Sequence, residues 1–434
     1  MGGVTAIFLT AGTTPEPLIK CLDEAYTQEK NVVAYIIYGT PFPDQTPDPL
    51  TSAIQVKKRA EDLGFKTVVR GAPDPEDFMS CQKTFESALK DSLNYDVEQI
   101  IINYTGGTKP MAAALVHTAL TQLTDVKTVT LDYVGGIERD EKGRVKGRMR
   151  SIKHVKPFID EKMRRTIELA RHYSFPQALS LLGGTELIGK SKFIRDSLEA
   201  LNHWDHFRYE DAHGAILDLK KQAEVLIEDD PTHIPDTIIN LSKTSGRISN
   251  LVKHLRKLED GRDETLRPFS SDPEGLALLS LDAYNNAERR KYEGRWIDAV
   301  LRAYRSIEVA VQSVLISKHS INPWHPDWNK LDERTILDSL AKLNIKHMPE
   351  QISLYAGYSL IEALDGELGA RDELQKLMTM RNHSYLEHGF QRVSKKGSES
   401  SLVHSKRILE SVLGLIEIES NKLEEIAEKT KIRI

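Results

Sequence analysis

A chain of 434 residues is too long for one ordinary hydrophobic core, so two or three domains are expected. The composition is that of a soluble globular protein, and no apolar run approaches the roughly 20 residues a membrane span needs. A net charge of −5 excludes a broad basic coat for nucleic acid, so any RNA or nucleotide site must be a local pocket. The only cysteines, Cys21 and Cys81, lack metal-ligand spacing, which predicts neither a disulfide framework nor a zinc site. The start, Met1 to Thr10, reads straight into a strand rather than a signal peptide, so a cytoplasmic protein with no membrane association is expected.

Residues 1–157 alternate short β-branched runs with helical stretches. Ala6–Leu9, Val32–Ile37, Thr67–Val69 and Ile100–Ile102 read as buried strands, with helices over Glu16–Gln28, Leu50–Leu63 and Glu76–Leu93 between them. This predicts an α/β domain with a Rossmann-like parallel sheet covered on both faces. Val126–Tyr133 is a further strand, and Gly143 is expected to turn a closing hairpin through Ser151–Val155. Such sheets bind ligands beyond the carboxyl ends of their strands, where the strand order reverses.

Two polar loops leave strands there, one with Thr10, Gly12, Thr13 and Thr14, the other with Thr105, Gly106, Gly107, Thr108 and Lys109. The second has the parts of an anion site: glycines that let backbone N–H groups approach, hydroxyls, one lysine, and a helix start with Pro110 in its first turn. A phosphate or ribose ligand fits this description, and so does a plain Gly-Gly turn with a threonine cap.

Over residues 158–270 amphipathic helices replace strands. Ala212, Ala215, Ile216, Leu219, Ala223, Leu226 and Ile227 recur at helical spacing, with Asp229-Asp230-Pro231 as the stop. This helical connecting region is expected to transmit rather than react. Gly184–Ser191 matches the P-loop pattern, yet Phe175–Leu182 before it lacks β-branched residues and reads as helix, which predicts a turn between helices. His203, His206 and His213 read as surface histidines rather than metal ligands.

The last domain, 271–434, is all-α. Helices are expected over Leu276–Lys291 and Trp296–Ser317, separated by Gly294, and a long closing helix over Leu402–Ile426. Glu308 falls on an apolar helix face, where a buried carboxylate needs a partner such as Arg305 or Arg381. Upstream of Gly389, the stripe Leu374, Leu377 and Met378 continues onto Arg381, Tyr385 and His388. Two helical turns separate Arg381 from His388, so both are expected to point the same way and grip one phosphate, with Gly389 as a left-handed helix stop. The alternative is a satisfied core histidine.

Arg381-x6-His388, with Asn382 directly after the arginine, resembles the R-x4–6-H motif of HEPN ribonucleases, and the phrase Arg-Asn-x-Ser-x-x-x-His-Gly resembles its CRISPR-associated branch. Asn103–Met111 resembles the ligand loop of CARF domains, and Asn286–Arg290 with Ala303–Glu308 resembles the opening HEPN helices. Together these resemble the standalone CARF–HEPN ribonucleases of type III CRISPR systems. The resemblance implies a homodimeric, metal-independent endoribonuclease, activated by a cyclic oligoadenylate and cleaving single-stranded RNA in antiviral defence. No cofactor beyond the activator is implied. Arg381, Asn382 and His388 are the implied catalytic residues, His388 for proton transfer, Arg381 for phosphorane charge and Asn382 for orientation. A ring-nuclease activity in the sensor is compatible with the resemblance, and neither that nor the activator's ring size is written in these residues. Two alternatives stay open: a nucleotide-sensing regulatory protein whose helical domain is an interaction module with Arg381 paired to Glu308, and a P-loop nucleotidase.

Overall fold

The computed structural model describes residues 3–28, 31–40, 48–92, 94–122, 128–136, 138, 141, 148–185, 187–228, 231–262, 266–344, 346–418 and 420–434. The chain divides into two compact units, residues 1–166 with 180–187, and residues 167–179 with 188–434.

The first unit is built on β1 (Val4–Ala11), α1 (Glu16–Gln28), β2 (Val32–Gly39), α2 (Pro49–Asp62), β3 (Lys66–Ala72), α3 (Phe78–Ser92), β4 (Val97–Asn103), α4 (Lys109–Gln122), β5 (Thr128–Gly135), β6 (Arg150–His154) and the start of α5 (Lys156–Arg171). The sheet order is β3-β2-β1-β4-β5-β6, parallel throughout except for the antiparallel β6. Strand side chains alternate between two cores, as the two-residue period of a strand dictates. Ala6, Phe8, Tyr35 and Ile102 pack with Phe85, Leu89, Met111 and Leu115 of α3 and α4. Ile7, Leu9, Ile36 and Ile101 pack with Leu18, Leu22, Val56 and Ala60 of α1 and α2. That double burial is why the strands read as continuous apolar runs. The β5–β6 hairpin forms, while Val126 and the expected turn at Gly143 lie outside the described residues.

The second unit is helical. It contains α7 (Gly189–Asp205), α8 (Tyr209–Leu226), α9 (Ile234–Glu259), the short α10 (Arg267–Ser270), α11 (Pro273–Tyr292), α12 (Trp296–Ser317), α13 (Glu333–Leu343), α14 (Leu354–Asp365), α15 (Arg371–Asn382), α16 (Lys395–Leu413) and α17 (Ser420–Glu428); α6 (Phe175–Leu181) straddles the division. Asp272 caps α11, its side chain accepting from Gly275 N. The apolar α12 packs against α11, α14, α15 and α16. A buried polar cluster ties α7 and α8 to α11. Asp205 pairs with Arg289 at 2.8 Å and with Arg290, while Asp282 accepts from Trp204 Nε1 at 2.8 Å and Tyr209 OH at 2.7 Å. Those partners satisfy carboxylates that burial alone would expel.

One expected helix is broken. Instead of running from Leu402 to Ile426, the chain ends α16 at Leu413, takes a single 3-10 turn, and adopts φ 62° at Glu417 before α17. Helical periodicity on both sides survives such a break, which is why the pattern reads as continuous. Gly184–Ser191 follows helix α6 and opens α7, with no strand before it.

Candidate functional site

At the carboxyl ends of β1 and β4 the two polar loops meet. Leu9 is in register with Asn103, so the residues after each strand are neighbours where the strand order reverses. Thr10 Oγ1 donates to Gly106 O at 2.7 Å. A Cβ on Gly12 would stand 2.9 Å from Gly107 N, and one on Gly106 would run into Thr10 O, so the contact requires bare backbone.

From below, a polar relay braces the second loop. Thr105 N donates to Asn103 Oδ1 at 3.2 Å, and Asn103 Nδ2 donates to Asp132 Oδ2 at 2.8 Å. Ser151 Oγ of β6 donates to the other Asp132 oxygen at 2.5 Å, and Val134 N donates to Thr105 Oγ1 at 2.8 Å. Asp132 is fully buried. Cys21 lies beside it, and burial first, then the Asp132 carboxylate, push its thiol well above the usual range. Cys21 is therefore a neutral packing group.

The predicted ligand residues thus fall into two sets. Thr10 joins the two loops, Thr105 ties the second to β5, and Thr108 donates to Pro75 O while its hydroxyl stands 3.4 Å from Met111 N at the start of α4. Lys109 is exposed, and neither it nor the hydroxyls of Thr13 and Thr14 has a hydrogen-bond partner among the described residues. The second set is free to meet a ligand.

The second centre lies at the end of α15. The helix is anchored at its start by Arg371, which pairs with buried Glu362 and donates to Tyr355 OH at 2.9 Å and Ser359 Oγ at 3.2 Å. Leu374 and Leu377 are buried, as the stripe predicts. Here the prediction needs correction, because α15 stops at Asn382 and neither Tyr385 nor His388 is helical. Asn382 and Ser384 are weaker helix formers than the Leu, Met and Arg before them. The chain folds back, with His388 N donating to Asn382 O at 3.3 Å, Gly389 N to Ser384 O at 3.2 Å and Gln391 N to His383 O at 2.9 Å. Gly389 is not among the positive-φ residues; it is needed because a Cβ would run into His383 O.

Arg381 and His388 are nonetheless brought together, through a third residue. Arg381 Nη2 is 2.9 Å from Glu387 Oε2, and His388 Nε2 is 3.9 Å from that same oxygen. Arg381 Nη1 donates to Asn382 Oδ1 at 2.9 Å, and its guanidinium lies 4.9 Å from the Tyr304 ring centroid. The arginine is thus oriented from three sides. The His388 side chain is 80% exposed, which excludes the satisfied-core reading. Glu308 is half-buried and pairs with Arg305, one of its two expected partners, while Arg381 pairs with Glu387, so the Arg381–Glu308 pair of the regulatory-protein alternative does not form. Burial first, then Glu308, raise the Tyr304 phenol and keep it neutral.

Among the other singled-out histidines, His203 Nδ1 stands 3.9 Å from Asp211 Oδ2, and His213 Nδ1 is 2.9 Å from Ser245 Oγ. No metal-capable group of three forms among the described residues.

Residues 271–404 match the family model of the Csm6 HEPN domain. The whole structure resembles Enterococcus italicus Csm6 bound to cyclic hexa-2'-fluoro-hexa-dAMP, with a TM-score of 0.53 and 13% identity over 99% of this chain and 98% of that one. The chain has the fold of that Csm6, and the family match covers its HEPN domain alone. At that identity the likeness speaks to fold, and no curated protein matches the chain in sequence. Sequence reasoning missed Asp132, Ser151, Tyr304 and Glu387. Asp132 had a readable signal, an acid inside the apolar run Val129–Val134, and Glu387 stands directly before the motif histidine. No helix among the described residues is long and apolar enough to cross a membrane.

Proposed function

We propose that this chain is an endoribonuclease of CRISPR antiviral defence, switched on by a cyclic oligoadenylate and cutting single-stranded RNA without a metal ion. Residues 1–157 sense the nucleotide, 158–270 connect, and 271–434 cut. The observation that carries this reading is the convergence of Arg381 and His388 on one Glu387 oxygen, at 2.9 and 3.9 Å, inside the stretch that matches the HEPN model.

In the reaction, the ribose 2′-oxygen forms a bond to its own phosphorus and the bond from phosphorus to the 5′-oxygen breaks. One proton leaves the 2′-hydroxyl for a base, and one reaches the departing 5′-oxygen from an acid. His388 is the proton carrier, exposed and reachable by substrate. Arg381 faces the negative charge that grows on the phosphorane, and Asn382 orients it. Each chain supplies one such histidine, so two copies facing one another in the cytoplasm supply both base and acid. Lys109, Thr13 and Thr14 meet the activator's phosphates and riboses, on loops held by Thr10, Gly12, Thr105, Gly106, Gly107 and Thr108.

Purified protein is mixed with fluorescent RNA and cyclic oligoadenylates of three, four and six adenosines, with and without EDTA. Cleavage with one ring and not without it, unaffected by EDTA, is the expected result. Binding of a ring with no RNA turnover identifies the regulatory-protein alternative.

A further inference from the structure

Beside the His388 loop lies a cleft of about 630 Å³, lined by Arg295, Trp296 and Asp298 at the start of α12 and by Tyr385, Leu386 and Arg392 of the returning chain. Its size is that of a pocket for a small ligand or a single nucleotide. Tyr385 is 65% exposed and Phe390 86%, their rings edge to face with centroids 5.9 Å apart. Large aromatic surfaces left together in solvent mark a binding surface. Arg392 is exposed and has no ion-pair partner among the described residues, whereas Arg295 is held by Asp298 at 2.6 Å and Glu293 at 3.3 Å.

We propose that this cleft and its aromatic lip are the base-binding subsite for the RNA, a reading that rests on the ribonuclease function above. Tyr385 and Phe390 stack on unpaired bases next to the scissile phosphate, and Arg392 holds a neighbouring phosphate. The rings stand three residues before and two after His388, so a strand that reaches the histidine passes them. Single-stranded RNA offers the splayed bases that such rings bind, and stacking tolerates any base. In a chain of net charge −5, a cation without a carboxylate partner at this place is a local phosphate contact.

A second copy of the chain is the competing occupant. A two-fold contact centred on this cleft would bring Arg392 toward its own counterpart. Asp298, the carboxylate that lines the cleft, is already taken by Arg295.

The test uses the full chain carrying His388→Ala, with a 2′-O-methyl oligonucleotide that cannot be cleaved and a version of it with abasic sites. Tyr385→Ala and Phe390→Ala are each expected to weaken binding of the intact oligonucleotide about tenfold, the usual size of one stacking contact. Binding of the abasic one should not change, and Tyr385→Trp and Phe390→Trp should keep the affinity. Arg392→Ala should weaken both oligonucleotides and flatten the salt dependence. Equal losses for intact and abasic oligonucleotides, or no loss, overturn the inference. So does sedimentation in which Tyr385→Ala turns a dimer into a monomer, since a second copy then covers the rings. Turnover of unmodified RNA by the wild-type protein with activator is measured in parallel. Its absence defeats the ribonuclease reading, whereas its presence with unaltered binding in the alanine variants defeats the subsite alone.

Discussion

In the first unit the hydroxyls of Thr10, Thr105 and Thr108 are bound to their own scaffold, and a buried Asp132 holds Asn103 beneath the loop. In the second, His388 is 80% exposed and the rings of Tyr385 and Phe390 stand in solvent beside it. The loops after β1 and β4 are organised without a ligand, so binding one there would cost them little ordering. The loop after α15 is half organised: Arg381 is gripped by Glu387, Asn382 and Tyr304, while His388 is left open. Under the proposed function, the charge-stabilising half of such a site is ready in advance and substrate, or a second copy, completes the other half.

The sharpest way to break this contrast is to remove the open half. His388→Ala and Arg381→Ala should each cut RNA turnover by on the order of 10²-fold or more, as for groups acting in the transition state, while activator binding is unchanged. EDTA should leave the wild-type rate as it was. Wild-type turnover in His388→Ala protein free of contaminating nuclease would assign the proton transfer elsewhere.

On the sensor side the same contrast predicts two kinds of loss. Lys109→Ala removes an exposed group and should weaken cyclic oligoadenylate binding by about 1–3 kcal/mol with no change in melting temperature. Asp132→Ala leaves the Asn103 amide and the Ser151 hydroxyl without their acceptor, so affinity and melting temperature should fall together. Calorimetry beside thermal melts decides: an Asp132→Ala protein that binds normally would mean the loop holds its shape without the relay.

Much of this was legible in the amino-acid sequence. Burial on both faces makes parallel strands read as apolar runs, and the Gly-Thr loops after β1 and β4 lie where the strand order reverses, as expected. The stripe Leu374–Leu377 located α15 for the same reason. What periodicity could not supply was the end of that helix. Seven-residue spacing between Arg381 and His388 suits two helical turns, yet a fold-back held by His388 N to Asn382 O and Gln391 N to His383 O brings the two residues together instead. Long-range partners were equally hidden. Tyr304 is far from Arg381 in sequence, and Asp132 meets Ser151 only because β6 runs antiparallel to β5. The family resemblance, carried by motif residues alone, did not depend on any of these contacts.

A subtler difference concerns pH. The carboxyl of Asp282, on the helix that bears Arg289, is pushed up to about 6, chiefly by burial, against an ordinary value of 3.8. Its folded-state affinity for a proton exceeds its unfolded one, so its contribution to stability is complete below the ordinary carboxylate range and is lost as pH rises through about 6. The urea midpoint of the wild-type protein should fall between about pH 4.5 and about pH 7 by more than that of Asp282→Asn, which has no such proton to lose. Parallel midpoints for the two proteins would place the titration in other groups.

The smallest effect, and the one that probes the half-organised site most directly, is expected from Glu387→Gln. Its carboxylate holds Arg381 at 2.9 Å with both side chains about a quarter exposed or less, at 26% and 20%, and lies 3.9 Å from His388. It does two opposed things under the proposed function: it orients the guanidinium, and it places a negative charge where the RNA phosphate would come. The amide keeps the size and one acceptor oxygen, so orientation by Asn382 and Tyr304 should persist while the repulsion disappears. Removing one like charge from a partly solvated site is worth about 1 kcal/mol, so an uncleavable RNA should bind a few-fold tighter, with the gain shrinking as salt is raised. Activator affinity should not move. If RNA instead binds more weakly at every salt concentration, Glu387 is holding Arg381 in its working position, and Arg381, Glu387 and His388 must be treated as one unit whose members cannot be removed singly.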